Sequence, residues 1–137
     1  NSLHRLLAHY YKRRLSWFGQ KLGYTIPINT CGHGLSLPHV GTIVINGKAR
    51  IGNNCRIHVC VNIGASGGDK SAPVIGNGVY IAPGVKIYGD ISIADGIAIG
   101  ANAVVNKSFT QPNVTIAGLP AKVVGEGGAI AAGWNPS

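Results

Sequence analysis

The chain has 137 residues, the size of one domain, and it carries 12 lysines and arginines against 4 acidic residues, for a formal net charge of +8. Only 12% of its residues are charged while 21 are glycine, which is untypical of a helical bundle and suits a fold with many turns. No apolar run of about 18 residues occurs, so we expect no transmembrane helix, and the positive charge indicates an anionic partner.

Residues 1–23 are predicted to form a basic amphipathic helix, the first domain of the chain. Apolar side chains recur there at roughly helical spacing, and residues 1–22 contain five cations and no acid. Two roles stay open for this helix: it packs on the rest of the chain or on a neighbouring subunit, or it makes a peripheral contact with the anionic inner face of a membrane. Nucleic acid is not an expected partner, because no aromatic stacking platform or known reading motif accompanies the charge.

The stretch from Ile45 to Val105 repeats every six residues. An aliphatic residue leads each six, and a small or apolar residue follows four positions later. This period is neither helical nor a simple strand alternation, and hexapeptide repeats are typical of a parallel β-helix. Three sixes make one triangular coil of about 18 residues, in which lead residues point inward and glycine, asparagine or aspartate adopt the left-handed backbone angles of the corners. The lead residues are Ile45, Ile51, Ile57, Ile63, Ile75, Ile81, Ile87, Ile93, Ile99 and Val105.

The repeat predicts an all-β solenoid domain over residues 24–125, preceded by the short helix. Residues 126–137 are rich in glycine and alanine with little to pack, so we expect a loose C-terminal tail. The chain contains no methionine, and we therefore expect that residue 1 is not the natural start and that an N-terminal part precedes it.

Two interruptions of the repeat indicate where a site lies. The coil that contains His39 is two residues too long, and the extra residues come immediately after that histidine. A bulge in a regular repeat often re-aims a side chain for function. Further along, Asp69 occupies a lead position, so residues 67–73 are expected to leave the wall as a loop that a solenoid does not need for stability.

Two histidines are the candidates for chemistry. His39 and His58 are 19 residues apart, which is close to one coil, so we expect them to lie near each other on the outer wall. A histidine that is neutral near pH 7 is suited to removing a proton from a hydroxyl group. A metal site is not expected, because no third ligand has convincing spacing.

These residues leave three classes of function open. Direct transfer from an activated donor by one histidine base fits better than a covalent intermediate, since no nucleophile elbow or nucleotide-binding glycine motif occurs. A metal-dependent lyase of the carbonic-anhydrase kind uses the same solenoid but needs three histidines, a pattern that His33 and His39 match poorly. The third class is a non-catalytic solenoid, such as a scaffold or an ice-binding protein.

The three cysteines are Cys31, Cys55 and Cys60. Their odd number and lack of framework spacing predict free thiols in a reducing compartment, the cytoplasm. Cys55 falls on an inward position and is interpreted as a small core residue.

The chain resembles the hexapeptide-repeat acyltransferases. Over residues 24–125 it is most similar to the serine O-acetyltransferase branch, and within that branch to relatives found in polysaccharide and capsule gene clusters. The resemblance implies a left-handed parallel β-helix, a homotrimer with active sites in the clefts between subunits, acetyl-CoA as cosubstrate and no metal. It is carried by the coils and by three segments: Leu37-Pro-His39-Val-Gly-Thr-Ile43-Val, Gly67-Gly68 and Ala117-Gly118-Leu-Pro120-Ala121-Lys122.

The resemblance also implies roles for individual residues. The catalytic histidine of the family falls on His39, and His58 is the second candidate for the base. A backbone N–H near the Gly67-Gly68 loop would stabilise the oxyanion, and lysines would meet the phosphate end of the coenzyme. The residues implied to bind the coenzyme are Gly67, Gly68, Pro83, Ala101, Lys107 and Lys122.

The acceptor follows from departures from the serine acetyltransferase pattern. In those enzymes the catalytic histidine follows an aspartate, and a carboxylate about fifteen residues upstream orients it; here the two positions hold Pro38 and Tyr24. A second histidine belongs just before Pro73, where this chain has Lys70-Ser71-Ala72. We therefore expect a sugar hydroxyl of polysaccharide biosynthesis as the acceptor, with serine O-acetylation in cysteine biosynthesis as the alternative.

Overall fold

The hexapeptides form short strands that stack on three faces. The computed structural model describes residues 2–68 and 71–135, and two helices and thirteen strands lie in that part of the chain. Their bounds are α1 Ser2–Leu22, β1 Tyr24–Thr25, β2 Ile43–Ile45, β3 Arg50–Ile51, β4 Arg56–Ile57, β5 Val61–Gly64, β6 Val74–Ile75, β7 Tyr80–Ile81, β8 Lys86–Tyr88, β9 Ser92–Ile93, β10 Ala98–Ile99, β11 Val104–Val105, β12 Val114–Gly118, β13 Ala121–Glu126 and α2 Gly128–Ala131.

The strands form three sheets, which we call faces A, B and C. Face A has the order β1-β2-β5-β8-β11, face B the order β3-β6-β9, and face C the order β13-β12-β10-β7-β4. The pairs are parallel except for β12 with β13, which is antiparallel. Regular coils advance eighteen residues, as when Ile45 pairs with Ile63 and Val74 with Ser92. The chain thus passes from face A to B to C in every coil, which confirms the predicted parallel-strand solenoid.

The lead residues fill the interior of the coils. On face A, Ile45, Ile63, Ile87 and Val105 are partners in one register, and each is at most 1% exposed. Burying one such side chain contributes about 1.5–3 kcal/mol, and buried lead residues on faces B and C add to this aliphatic core.

Asparagine makes the corners between faces B and C. Asn54 and Asn113 lie on these corners, with φ values of 55° and 56°. Asn102, with a φ of 58°, lies on the corner between faces C and A. Asparagine tolerates this left-handed conformation better than most residues. Side-chain oxygens also link neighbouring coils here. The backbone N–H of Asn53 donates to Asn77 Oδ1 at 2.8 Å, and the backbone N–H of Asn77 donates to Asp95 Oδ1 at 2.7 Å.

The register confirms a bulge in the segment that contains His39. Ser36 pairs with Arg56, twenty residues on, whereas Ile43 pairs with Val61, eighteen residues on. Two extra residues therefore lie between Ser36 and Ile43, in the segment that contains the histidine.

The register also confirms that a loop leaves the wall after β5. Ile45 pairs with Ile63 eighteen residues on, but Arg50 pairs with Val74 twenty-four residues on. The six extra residues therefore lie between Ile63 and Val74. Asp69, on which the expectation rested, lies outside the described residues.

The predicted N-terminal helix is present as α1, and no residue of it is buried. It contacts the first coil next to β1. Neither helix in the described ranges is long and apolar enough to cross a membrane.

Residues 127–134 pack against the solenoid, which corrects, for this part of the chain, the expectation of a loose tail over residues 126–137. Gly128 and Ala129 of α2 are buried, and Ala129 N donates to Gly96 O at 2.8 Å. Trp134 Nε1 then donates to Asn54 O at 2.8 Å. The glycines and alanines let this segment lie close to the corner, because a Cβ added at Gly128 would come within 2.9 Å of Asn113 Cα.

Candidate active site

Both candidate histidines lie where the chain turns from face C to face A. We call this edge the histidine corner. It comprises residues 38–42, 58–60, 82–85 and 100–103, one segment from each successive coil. The predicted proximity of His39 and His58 is confirmed, since their ring centroids are 5.9 Å apart.

His39 sits in the bulge with an exposed side chain. The hydroxyl of Tyr24 donates a hydrogen bond to its carbonyl oxygen at 2.6 Å, which fixes the backbone of the bulge to β1. The bulge also packs on the next coil, because a Cβ added at Gly41 would lie 2.8 Å from Val59 Cγ1. An exposed imidazole on a backbone held in this way can meet a substrate hydroxyl without rearrangement of the chain.

His58 is half-buried and lies between His39 and the ring of Tyr80, whose centroid is 5.1 Å away. Burial, the guanidinium of Arg56 and the neighbouring His39 together lower the pKa of His58. Arg56 Nε donates to His58 Nε2 at 3.4 Å, so the ring proton of the neutral imidazole is on Nδ1. His58 is thus a neutral neighbour of the exposed histidine.

Two of the predicted coenzyme residues belong to the same corner. Pro83 and Ala101 are exposed and lie one and two coils beyond His58. Backbone hydrogen bonds join these coils, from Gly84 N to Val59 O at 3.0 Å and from Asn102 N to Pro83 O at 2.9 Å. His39, His58, Pro83 and Ala101 therefore form one column along the solenoid, which we call the exposed column although His58 within it is half-buried.

Three of the other predicted coenzyme residues lie away from the histidine corner of their own chain, and the fourth lies close to it. Gly67, Gly68 and Lys107 are at the corner between faces A and B, and Lys122 is exposed on β13. A Cβ added at either glycine would meet nothing within 4 Å, so this part of the loop projects from the wall. The topology separates Gly67, Gly68 and Lys107 from the histidine corner of the same chain by the width of face A. Lys122 instead pairs with Ala117 of β12, and a Cβ added at Gly100 of the histidine corner would lie 2.9 Å from Ala117 Cβ, so Lys122 is close to this corner.

Three residues of the site were missing from the sequence-based prediction: Arg56, Tyr80 and Trp134. Arg56 and Tyr80 point outward from β4 and β7 beside His58, and strand alternation two residues before His58 could have identified Arg56. Trp134 stacks on Arg56 and bonds to Asn54, which is eighty residues earlier in the sequence. No local pattern indicates contacts between residues so far apart.

An apolar cavity lies apart from the histidine corner. Its volume is about 660 Å³, and it is bounded by one side of α1 and by the first coil, including Phe18, Ile26 and Leu35. Within the described residues, no group of three or more histidine, cysteine or acidic side chains is placed to hold a metal ion.

Comparison with known proteins decides the family. The family described as bacterial transferase hexapeptide, six repeats, matches residues 72–107. The serine acetyltransferase of Escherichia coli strain K12 is 40% identical over 103 residues, which cover 73% of this chain and 37% of that protein. The chain belongs to the hexapeptide-repeat transferase family.

Solved structures place the chain in the serine acetyltransferase-like branch of this family. The crystal structure of serine acetyltransferase from Brucella abortus strain S19 has a TM-score of 0.74 and 36% identity, and the match covers 93% of this chain and 51% of that one. The same enzyme in complex with coenzyme A has a TM-score of 0.67 and 38% identity, and the match covers 72% of this chain and 41% of that one. Neisseria gonorrhoeae serine acetyltransferase in complex with serine has a TM-score of 0.72 and 33% identity, and the match covers 88% of this chain and 49% of that one. The predicted family and branch are thereby confirmed.

The chain is short beside its relatives. It spans 37% of the length of the Escherichia coli protein and 38% of that of the serine acetyltransferase of Buchnera aphidicola subsp. Schizaphis graminum, which is 36% identical over 101 residues, 72% of this chain.

Proposed function

We propose that this hexapeptide-repeat chain transfers an acetyl group from acetyl-CoA to a hydroxyl acceptor, with His39 as the general base. The observation that carries the proposal is the exposed column on the histidine corner. It joins an imidazole on a fixed backbone, its neutral neighbour His58, and the two positions, Pro83 and Ala101, that the resemblance assigns to the coenzyme. The solved relative with bound coenzyme A supports the donor.

The reaction follows from the chemistry of the base. His39 takes the proton of the acceptor hydroxyl as the oxygen attacks the thioester carbonyl carbon. The tetrahedral oxyanion collapses, the carbon–sulfur bond breaks, and protonated His39 returns its proton to the thiolate. General base catalysis of this kind contributes about 10²–10⁴-fold to the rate.

A second subunit completes the site in this proposal. The loop with Gly67 and Gly68, and Lys107 after it, lie across face A from the histidine corner of their own chain. Left-handed coils assembled as a trimer would set the corner between faces A and B of one subunit beside the histidine corner of the next. A backbone N–H of the neighbour's loop would then stabilise the oxyanion.

Serine is the first candidate for the acceptor. The relatives are serine acetyltransferases, and one is solved in complex with serine. They give no support to the expected role in polysaccharide biosynthesis, so the sugar acceptor moves from first to second place.

A neutral hydroxyl acceptor such as a sugar remains the second candidate because of the charges at the site. Asp90, Asp95 and Glu126, the acids that the structure describes, lie on other corners or on β13. Cations instead contact the histidine corner, since Arg56 Nε donates to His58 Nε2 and Lys86 Nζ donates to Cys60 O at 2.7 Å. Within one chain the ammonium group of an amino acid therefore finds no described carboxylate at this corner, whereas a sugar does not need one. In the proposed trimer, Asp90 lies on the corner of the neighbouring subunit that would face the site.

Acceptor-dependent release of coenzyme A tests this function. The purified protein is incubated with acetyl-CoA and with serine, or with a panel of neutral sugars, and the free thiol is followed. We expect release that requires an acceptor and is greatest with serine. Release with sugars alone would select the second candidate, and a folded protein without release for any hydroxyl would refute the proposal.

A further inference from the structure

The C-terminal segment returns along the solenoid and carries Trp134 to the site. Ala129 N is bonded to Gly96 O, and Trp134 N donates to Ala129 O at 2.8 Å. The indole Nε1 donates to Asn54 O, also at 2.8 Å. Both nitrogens of Trp134 are thus fixed, so the half-buried indole has one defined place on the molecule.

That place is against the guanidinium of Arg56. Arg56 Cζ lies 5.2 Å from the centroid of the Trp134 ring, within the range of a cation–π contact. The same guanidinium donates from Nε to His58 Nε2, and the His58 ring is 5.9 Å from that of His39. A continuous series of contacts therefore runs from the C-terminal segment to the proposed base.

We propose that Trp134 is a positioning residue for the acetyl transfer: it holds Arg56 against His58 and so keeps His58 as the neutral neighbour of the base His39. This inference rests on the proposed function. It assigns the C-terminal segment a part in the reaction that the solenoid alone does not supply.

The charges around His58 explain why the position of Arg56 matters for the reaction. The groups that face it are Arg56 on its own strand, His39 on the coil before and Tyr80 on the coil after. Burial, then the charge of Arg56 and that of His39, disfavour a positive charge on His58 and lower its pKa. If His58 were protonated, it would oppose the uptake of a proton by His39 during the reaction.

The test combines a pH profile with a direct titration. In Trp134→Ala, Arg56 is free to leave His58, so the pKa of His58 should rise and the enzyme should lose activity mainly at acidic pH. We expect kcat at pH 6 to fall about three- to tenfold, the range for loss of one cation–π contact, with little change at pH 8.5. Trp134→Phe keeps an aromatic face and should retain most of the activity at pH 6. Arg56→Gln should show the same loss of kcat at pH 6 and the same rise in the pKa of His58 as Trp134→Ala.

Nuclear magnetic resonance of the His58 ring separates the possible failures. A raised His58 pKa in Trp134→Ala and Arg56→Gln supports the positioning role even if no acceptor is acetylated, in which case only the proposed function fails. An unchanged His58 pKa, or a loss of rate that is equal at every pH, would show a merely structural role and overturn the inference. If Trp134→Ala does not fold, Trp134→Leu, which keeps a large apolar side chain but has no aromatic face, takes its place in the same two measurements.

Discussion

The hydroxyl of Tyr24 donates to the carbonyl oxygen of His39 at 2.6 Å, although the two residues are fifteen positions apart. Tyr24 belongs to the first strand of face A and His39 to the bulge, so this bond closes the first coil. It acts on the backbone of the histidine and leaves the imidazole exposed to substrate.

Removal of this bond should loosen the bulge without unfolding the chain. We expect Tyr24→Phe to lose about 0.5–1.5 kcal/mol of unfolding free energy, the net value of one hydrogen bond, and to lower kcat severalfold. Urea unfolding and steady-state kinetics measure the two effects. Tyr11→Phe, on the exposed helix α1, is the matched control and should change neither. Unaltered kcat in Tyr24→Phe would mean that the bond does not position the base.

His39→Ala should lower the turnover of acetyl-CoA by about 10²–10⁴-fold while the protein stays folded, because it removes the base and no buried group. His33→Ala serves as control, since His33 is also exposed but lies at a different corner and bonds to Asn53 through its backbone amide. Near-full activity of His39→Ala would transfer the role of base to His58.

The inward and outward positions of the strands predict that substitutions at Ile81 and Val74, on the consecutive strands β7 and β6, differ greatly in their cost to stability. Ile81 is fully buried, whereas Val74 is 50% exposed. Ile81→Ala should cost about 2–5 kcal/mol of unfolding free energy, since it leaves a cavity between coils. Val74→Ala should cost well under half of that. Equal losses in urea unfolding would contradict the assignment of inward positions.

The three thiols should react at very different rates. Cys60 is exposed at the histidine corner, while burial raises the pKa of Cys55 to about 11 and also raises the pKa of the half-buried Cys31. Because the thiolate is the reactive form, only about one Cys55 in a thousand is ionised at pH 8. We expect one fast thiol with a disulfide reagent in the native protein, and its loss in Cys60→Ser. A fast phase that survives this substitution would place the reactive thiol elsewhere.

The solenoid and the pairing of the two histidines could be predicted from the sequence because both depend on counting residues along a regular repeat. Ile57 and Ile81 hold their places through the period of six, and the extra residues after His39 and after Ile63 are visible as departures from it. Local sequence is enough for such features, since each coil contacts only the coils beside it.

The contacts of the C-terminal segment could not be predicted in this way. Trp134 reaches Asn54 and Arg56 from about eighty positions away, and its flanking glycines and alanines carry no periodic signal. The interrupted repeat indicated the loop with Gly67, but Lys107 was assigned to the site by resemblance alone. In the proposed trimer, the place of both residues in the site would depend on a neighbouring subunit that one chain does not define.

Binding of acetyl-CoA to the purified protein, measured by calorimetry together with its mass in solution, tests the central claim most directly. We predict micromolar binding to a trimer, and loss of that binding in Ala101→Glu, which puts a bulky anion into the exposed column on the histidine corner. A well-folded trimer that does not bind acetyl-CoA, or an Ala101→Glu variant that binds it as tightly as the parent chain, would contradict the account.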